Sequence, residues 1–192
     1  MRKALLGIAL VVPIVVAAVL VPRPMTGAVP DAPAELLGTA PELAPSTQWL
    51  QSKPLTFAAL RGQVVVVHFW TFGCINCIHN YPAYKAWQEQ YGGKGVTIIG
   101  IHTPEFENEA DLTRIRTRAE QNGLKFPIAV DNNQANWKNW NNRYWPSIYL
   151  IDKKGQVRYR WEGELNSGGR NGEQLMRQRI DELLAESPTR ES

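Results

Sequence analysis

The sequence predicts an α/β fold in which helices pack against a central mixed β-sheet. Segments typical of strands alternate with segments typical of helices from about Trp49 to Leu184. Two of the strand segments, Gln63–Trp70 and Val96–Ile101, are nearly continuous apolar and β-branched runs, as in strands that are covered on both faces. The pattern then ends in a hairpin and a last helix, which favours a sheet with both parallel and antiparallel strands.

The individual elements follow from local patterns along the chain. Apolar and aromatic residues recur with helical spacing from Cys77 to Tyr91, and a group of glycines directly afterwards ends this helix. The turn Lys154-Gly155 joins the two strands of the hairpin. The remaining elements are expected to be a surface helix at Glu107–Gln121, a strand at Phe126–Val130, a short helix at Gln134–Trp140, hairpin strands at Ser147–Ile151 and Val157–Trp161, and a last helix at Glu173–Glu186.

Residues 1–28 are predicted to be a targeting segment. Arg2 and Lys3 precede an uncharged apolar run, Ala4 to Val21, which as a helix would be about 27 Å long, close to the thickness of a bilayer core. This length favours an uncleaved signal anchor, while the small residues at 26–28 leave a cleaved signal peptide open. We therefore expect the rest of the chain to be exported, either anchored on the outer, periplasmic side of a bacterial membrane or soluble in the periplasm.

The remaining chain is predicted to consist of a linker, one domain and a tail. Residues 29–47 are rich in proline and alanine and are expected to be a weakly ordered linker, followed by a domain at 48–186 and a polar tail at 187–192. The net charge is +3, but residues 1–28 contain three of the 21 basic residues and no acidic ones, so the exported part is balanced. This balance gives no reason to expect nucleic-acid binding.

The only two cysteines, Cys74 and Cys77, lie two residues apart where a strand ends and a helix begins. Free N–H groups at a helix N-terminus stabilise a thiolate, so Cys74 is predicted to be the exposed attacking thiol with a lowered pKa. Cys77 lies one turn deeper and can attack a mixed disulfide that forms on Cys74. The pair is therefore predicted to work through a redox-active disulfide, with no other cofactor.

Other uses of the cysteine pair remain open from the residues alone. A static disulfide is disfavoured, because a bridge that closes so short a loop removes little entropy from the unfolded chain. A zinc or copper site would combine Cys74, Cys77 and His79 with a second histidine, although a second ligand pair at a suitable spacing is not visible. The candidates for this second histidine are His68 and His102.

A thiol peroxidase is a further alternative. Thr71-Phe72-Gly73-Cys74 has the order of a peroxidatic Thr-x-x-Cys site, but Val67 stands where such sites carry a proline. The asparagine- and tryptophan-rich stretch at 131–145 is compatible with sugar binding, but we expect it to cover part of the domain instead.

The residues around the cysteines resemble the exported TlpA-like thiol–disulfide oxidoreductases, including the thioredoxin-like (redoxin) domains of DipZ-type cytochrome c biogenesis proteins. Phe69-Trp70 precedes the cysteine pair, Pro82 lies within the following helix, and Trp145-Pro146 precedes a strand as the cis-proline of this family does. The resemblance covers about residues 49–164. It implies a thioredoxin-like fold with the inserted strand–helix element of the TlpA group.

The same resemblance implies an enzyme that exchanges disulfides with client proteins, as a reductant. Apocytochrome c, whose haem-site cysteines must stay reduced, is one such client, and the electrons would come from a membrane thiol-reductant relay of the CcdA/DsbD kind. Trp145 and Pro146 are implied to dock the client chain beside the thiols. An oxidative role stays open, because reductants and oxidants share this scaffold.

Glu105 is predicted to be the general base that deprotonates Cys77, because some relatives keep a semi-buried glutamate after the strand at 96–101. A solvated glutamate that caps the next helix is the alternative. His68 stands where thioredoxins have a buried aspartate, and we expect a hydrogen-bonded core histidine there more than a proton relay.

The other expected neighbours of the dithiol are Trp70, Ile75, Asn76 and Pro82. Ile75-Asn76 replaces the common Gly-Pro between the cysteines, which leaves the reduction potential open, and Gly73 replaces the tryptophan that most relatives carry before the first cysteine.

Overall fold

The computed structural model describes residues 37–45 and 48–187. The predicted targeting segment at 1–28, the first part of the predicted linker and most of the predicted tail lie outside these residues. Within the two described ranges, no helix combines the length and the apolar character that crossing a bilayer requires.

The described residues form seven strands and four α-helices. The strands are β1 (Gly38–Thr39), β2 (Gln48–Leu50), β3 (Val64–Trp70), β4 (Val96–His102), β5 (Ile128–Val130), β6 (Ser147–Ile151) and β7 (Gln156–Glu162). The helices are α1 (Ile75–Tyr91), α2 (Leu112–Gln121), α3 (Ala135–Asn139) and α4 (Gly172–Ala185), with short 3-10 helices at Glu107–Glu109 and Ser167–Gly169.

All seven strands belong to one sheet in the order β1-β7-β6-β3-β4-β5-β2. The central strand β3 runs parallel to β4 and antiparallel to β6, and β5 extends the sheet parallel to β4. Every residue of β3 is buried, as its continuous apolar run predicts. Alternate residues of β3 belong to different apolar clusters, Val66 with Trp87 of α1 and Val67 with Trp140. The predicted α/β fold with a mixed sheet is therefore confirmed.

The helix that was predicted at Glu107–Gln121 is divided in the structure. A single 3-10 turn covers Glu107–Glu109, and α2 starts afresh at Leu112. The cause is Asp111, whose carboxylate accepts a hydrogen bond from the backbone N–H of Arg114 at 2.8 Å and caps α2. The charged periodicity of this stretch does not reveal the break, because both parts expose polar residues.

The folded domain begins earlier than the predicted boundary at residue 48. β1 pairs with β7, and the backbone N–H of Ala44 donates to Asn136 Oδ1 at 2.8 Å. The carboxylate of Glu42 accepts hydrogen bonds from the backbone N–H groups of Phe57 and Ala58. Residues 37–45 of the predicted linker are therefore part of the domain, held by partners far away in the sequence.

Candidate active site

Cys74 is the N-cap residue of α1, between the end of β3 and the first helical turn. Its backbone is extended (φ −83°, ψ 116°), and its carbonyl accepts the backbone N–H groups of Cys77 and Ile78 at 3.1 Å each. Cys74 is partly exposed and Cys77 is fully buried, and both are free thiols. This is the predicted arrangement of an accessible first thiol and a protected second thiol.

The two thiols have opposite pKa shifts. The Cys77 thiol donates a hydrogen bond to the Cys74 sulfur, and this bond, with the backbone N–H groups of Cys77 and Asn76, lowers the pKa of Cys74 to about 7 against the effects of partial burial and of Glu105. Burial, the same hydrogen bond and the nearby Cys74 charge raise the pKa of Cys77 well above its ordinary value. At neutral pH a substantial fraction of Cys74 is therefore a thiolate, beside a protonated Cys77.

The titration of the two thiols is expected to be widely separated. The rate of alkylation by iodoacetamide should follow one ionisation near pH 7, and the second thiol should stay unreactive until strongly alkaline pH. In a Cys77→Ala variant the midpoint should move upward, because the largest stabilising hydrogen bond on the Cys74 thiolate is lost. A midpoint near about 8.5 in the unsubstituted protein, as for an ordinary thiol, would contradict the geometry.

The buried carboxylate beside the dithiol belongs to Glu109, whereas Glu105 is exposed. Glu109 is 3% exposed, and its Oε2 accepts the Thr71 hydroxyl at 2.7 Å and the backbone N–H groups of Glu105 at 2.8 Å and Phe106 at 3.4 Å. The prediction of a semi-buried carboxylate at Glu105 is therefore wrong, because the buried carboxylate is that of Glu109. Glu105 supplies a backbone donor, and Glu109, four residues later, supplies the side chain.

The absence of a side chain at Gly73 leaves space for the Glu109 carboxylate. A Cβ atom at residue 73 would overlap Glu109 Oε1, so no other residue fits there unless this side chain moves. Both residues line an open cleft of ≈ 600 Å³ together with Phe106, Glu107 and Asn108. The small residue before Cys74 was a sequence signal for this arrangement, but it pointed to no particular partner.

His68 and Trp70 lie in the core below the dithiol. The His68 ring stacks on Tyr84 with centroids 4.0 Å apart, and neither of its ring nitrogens has a hydrogen-bond partner among the described residues. Burial lowers the pKa of His68 to about 3, so the ring is neutral at physiological pH. Trp70 is also fully buried. His68 is a core residue as expected, but it fills space without the expected hydrogen bonds.

The peptide bond between Trp145 and Pro146 is cis, as the resemblance implied. The Trp145 indole stacks on Trp137 with centroids 3.9 Å apart, and its Nε1 donates to the carbonyl of Thr103 at 3.0 Å. Trp137 belongs to α3, within the asparagine-rich stretch. The asparagine-rich stretch therefore packs against the cis-proline loop, as we expected from a segment that covers part of the domain.

The remaining predicted neighbours lie on α1. Ile75 is 59% exposed and Asn76 is exposed in the first turn, while Pro82 lies inside the helix. Phe106 and Tyr144 are further exposed apolar side chains, the first in the cleft beside Gly73 and the second next to Trp145.

The three histidines do not form a site with the cysteines. His79 Nδ1 lies 3.0 Å from Glu164 Oε2, His102 Nε2 lies 3.4 Å from the Thr71 hydroxyl, and His68 is in the core. Across residues 37–45 and 48–187, no three His, Cys, Asp or Glu side chains have a geometry that could hold a metal ion. The threonine of the Thr-x-x-Cys order, Thr71, donates its hydroxyl to Glu109, and the peroxidatic alternative stays a prediction that peroxide consumption by Cys74 would test.

Comparison with known proteins adds relatives that match over most of the described chain. Residues 39–160 match the model of the AhpC/TSA family. Protein DipZ of Mycobacterium tuberculosis is 44% identical over 133 residues, which cover 68% of this chain and 19% of DipZ. The thiol–disulfide oxidoreductase YkuV of Bacillus subtilis is 26% identical over 147 residues, which cover 77% of this chain and 95% of YkuV.

A solved structure agrees with the fold. The crystal structure of a thioredoxin-like superfamily protein superimposes with a TM-score of 0.69 at 28% identity, and the match covers 78% of this chain and 98% of that protein. The thioredoxin-like fold is thereby confirmed. The chain spans only about a fifth of the length of DipZ. By the extent of the family match, the chain belongs to the AhpC/TSA family, and its relatives include a thiol–disulfide oxidoreductase.

Proposed function

We propose that this protein is a thiol–disulfide oxidoreductase that exchanges disulfides with client proteins through Cys74 and Cys77. The observation that carries the proposal is the placement of the pair: Cys74 is the partly exposed N-cap residue of α1, and Cys77 is fully buried one turn further along the helix. This placement prepares one sulfur to attack and keeps the other protonated until a mixed disulfide has formed. A structural pair would need no such difference between its sulfurs.

The exchange proceeds in two consecutive steps. The Cys74 thiolate attacks one sulfur of the client disulfide, and the other client sulfur leaves as a thiolate and takes up a proton from solvent water. Cys77 then loses its proton and attacks Cys74 Sγ, which forms the Cys74–Cys77 bond and releases the second client sulfur as a thiolate. In total the client gains two electrons and the dithiol is oxidised.

Glu109 is the group best placed to accept the Cys77 proton. Its charge is among the causes that raise the pKa of Cys77, and its oxygen Oε1 faces Gly73, directly before Cys74. A buried thiol ionises rarely by itself, so a nearby carboxylate that takes the proton speeds the second step. The general-base role that the sequence suggested for Glu105 is therefore proposed for Glu109.

The client chain is proposed to lie along the cis-proline loop. The stacked Trp137 and the hydrogen bond to Thr103 fix Trp145 and hence the backbone next to Pro146. Ile75 and Tyr144 offer exposed apolar surface for residues that flank the client cysteines. An extended segment with an apolar side chain next to its cysteine fits this surface.

A reducing role is favoured by the modest acidity of Cys74. Strong oxidants of this fold stabilise the reduced form through a thiolate with a pKa of about 3.5, whereas the reductant thioredoxin has one near about 7. The pKa of Cys74 is about 7. We further propose from the sequence that the domain is exported behind the apolar run at 4–21, receives electrons from a membrane thiol relay and keeps clients such as apocytochrome c reduced.

The reduction potential of the Cys74–Cys77 pair tests the activity and its direction. Equilibration with glutathione or dithiothreitol buffers should give a value closer to about −270 mV than to about −120 mV. In addition, a Cys77→Ser variant should retain client proteins as mixed disulfides on Cys74, and a Cys74→Ser, Cys77→Ser variant should retain none. A pair that does not cycle between dithiol and disulfide would overturn the proposal.

A further inference from the structure

Thr71 connects the buried thiol with the buried carboxylate. It follows β3 directly and is fully buried. Burial raises the pKa of Cys77, and a hydrogen bond from the Thr71 backbone N–H to the Cys77 sulfur acts in the opposite direction. The Thr71 hydroxyl donates to Glu109 Oε2 at 2.7 Å. One residue therefore contacts both groups between which the proton of the second step moves.

His102 holds the Thr71 hydroxyl from the other side. It is the last residue of β4, opposite Trp70 in the parallel register, and its Nε2 lies 3.4 Å from the Thr71 hydroxyl oxygen. The ring stacks on Phe72 with centroids 5.5 Å apart and meets the edge of Trp70 at 5.0 Å. This aromatic enclosure leaves the imidazole fully buried, in a fixed orientation.

The hydrogen-bond directions in this network follow from its donors. The Thr71 hydroxyl has one proton, and that proton is used for Glu109, so the contact with His102 requires a donor on the imidazole. The neutral ring then carries its hydrogen on Nε2, and Nδ1 has no partner within the described residues. The contact from His102 occupies a lone pair of the hydroxyl oxygen and turns the hydroxyl proton toward Glu109.

We propose that Thr71 and His102 are positioning residues for proton transfer from Cys77 to Glu109. This inference rests on the proposed function. Thr71 and the backbone N–H groups of Glu105 and Phe106 all donate to Oε2, so Oε1 is the oxygen that stays available on the side of Gly73. When the Cys77 S–H bond breaks, its proton moves to Oε1 while the sulfur forms its bond with Cys74. The leaving client thiolate then takes up this proton.

Because the three donors stay on Oε2 throughout, the carboxyl group needs no rotation between its two protonation states. Loss of the Thr71 hydroxyl would let the carboxylate turn and would misplace the accepting oxygen. A misplacement of about 1 Å in a reacting group is enough to slow a reaction by up to about a hundredfold.

The aromatic disulfide DTNB separates the two chemical steps in the full chain. Attack by Cys74 releases the first thionitrobenzoate, and attack by Cys77 on the mixed disulfide releases the second, so the two absorbance phases report different sulfurs. A Thr71→Val variant keeps the shape of the side chain but has no hydroxyl. It should leave the first phase unchanged and slow the second about tenfold, with a changed pH profile between about pH 5 and pH 9.

Matched variants distinguish positioning from a loss of packing. Thr71→Ser retains the hydroxyl and should restore the second phase to within about twofold of the unsubstituted rate. If Thr71→Val does not fold, His102→Gln, which retains a donor near the Nε2 position, should react faster in the second phase than His102→Phe. A second phase with unchanged rate and pH profile in Thr71→Val, or equal rates in the two His102 variants, would overturn the inference.

The outcome also separates this inference from the proposed function. If the unsubstituted chain shows no second phase at all, the proposed exchange through Cys77 fails. If it shows both phases, and Glu109→Gln slows the second while Thr71→Val does not, only the positioning role fails.

Discussion

The Glu109→Gln variant is expected to resolve mixed disulfides about a hundredfold more slowly than the unsubstituted protein at neutral pH. Glutamine keeps the shape of the side chain and can accept the hydrogen bonds at one oxygen, but it cannot take up the proton of Cys77. The defect should shrink as the pH rises, because Cys77 then ionises without assistance. The second thionitrobenzoate phase, followed as a function of pH, measures this directly.

Two neighbouring carboxylates provide the controls for this experiment. Glu107 lines the same cleft, and Glu105 is the residue that the sequence suggested as the base; both are exposed. Glu107→Gln should leave both phases unchanged. Glu105→Gln should lower the pKa of Cys74 slightly, because its charge raises that pKa, without slowing the second phase. A slow second phase in Glu105→Gln with a normal one in Glu109→Gln would return the role to Glu105.

The Asp131→Ala variant is expected to lower the free energy of unfolding by about 3 kcal/mol, because it leaves several buried donors without an acceptor. The Asp131 carboxylate is buried and accepts the Thr103 hydroxyl at 3.0 Å and the backbone N–H groups of Asn136 and Trp137 at 2.8 and 2.9 Å. It therefore fixes the start of α3 and the position of Trp137 behind Trp145. Urea unfolding measures the loss.

Asp111→Ala is the matched control, because it removes an exposed carboxylate that caps a helix. It should cost only about 1 kcal/mol. Asp131→Ala should also change the near-ultraviolet circular dichroism, since the stacking of Trp137 on Trp145 depends on α3. Equal losses of stability in the two variants would show that the buried network around Asp131 contributes no more than a surface cap.

The sheet and the dithiol could be predicted because their signals are local. The buried strands β3 and β4 are continuous apolar runs, and the position of Cys74 between strand and helix already predicts a lowered pKa. The cis-proline after Trp145 followed from the resemblance. In each case the residues that carry the sequence pattern are the same residues that form the predicted feature.

The choice between Glu105 and Glu109 could not be made from the sequence. Two residues of the same type lie four positions apart, and which one is buried depends on the 3-10 turn and on the space beside Gly73, in a different segment. The predicted start of the domain at residue 48 was wrong for a similar reason. Ala44 belongs to a proline- and alanine-rich stretch, and its hydrogen-bond acceptor, Asn136, lies in α3, far along the chain.

A Cβ atom at residue 73 would overlap Glu109 Oε1, so any side chain at this position requires the Glu109 carboxylate to move. Transplanting the Trp-Cys-x-x-Cys sequence of a typical thioredoxin into this protein would therefore do more than alter the residues around the thiols. It would also displace the Glu109 carboxylate. The activity of such a variant would therefore reflect two changes at once, the new residues around the thiols and the loss of the carboxylate. In aligned homologues, a bulky residue directly before the first cysteine should coincide with a different residue at the position of Glu109.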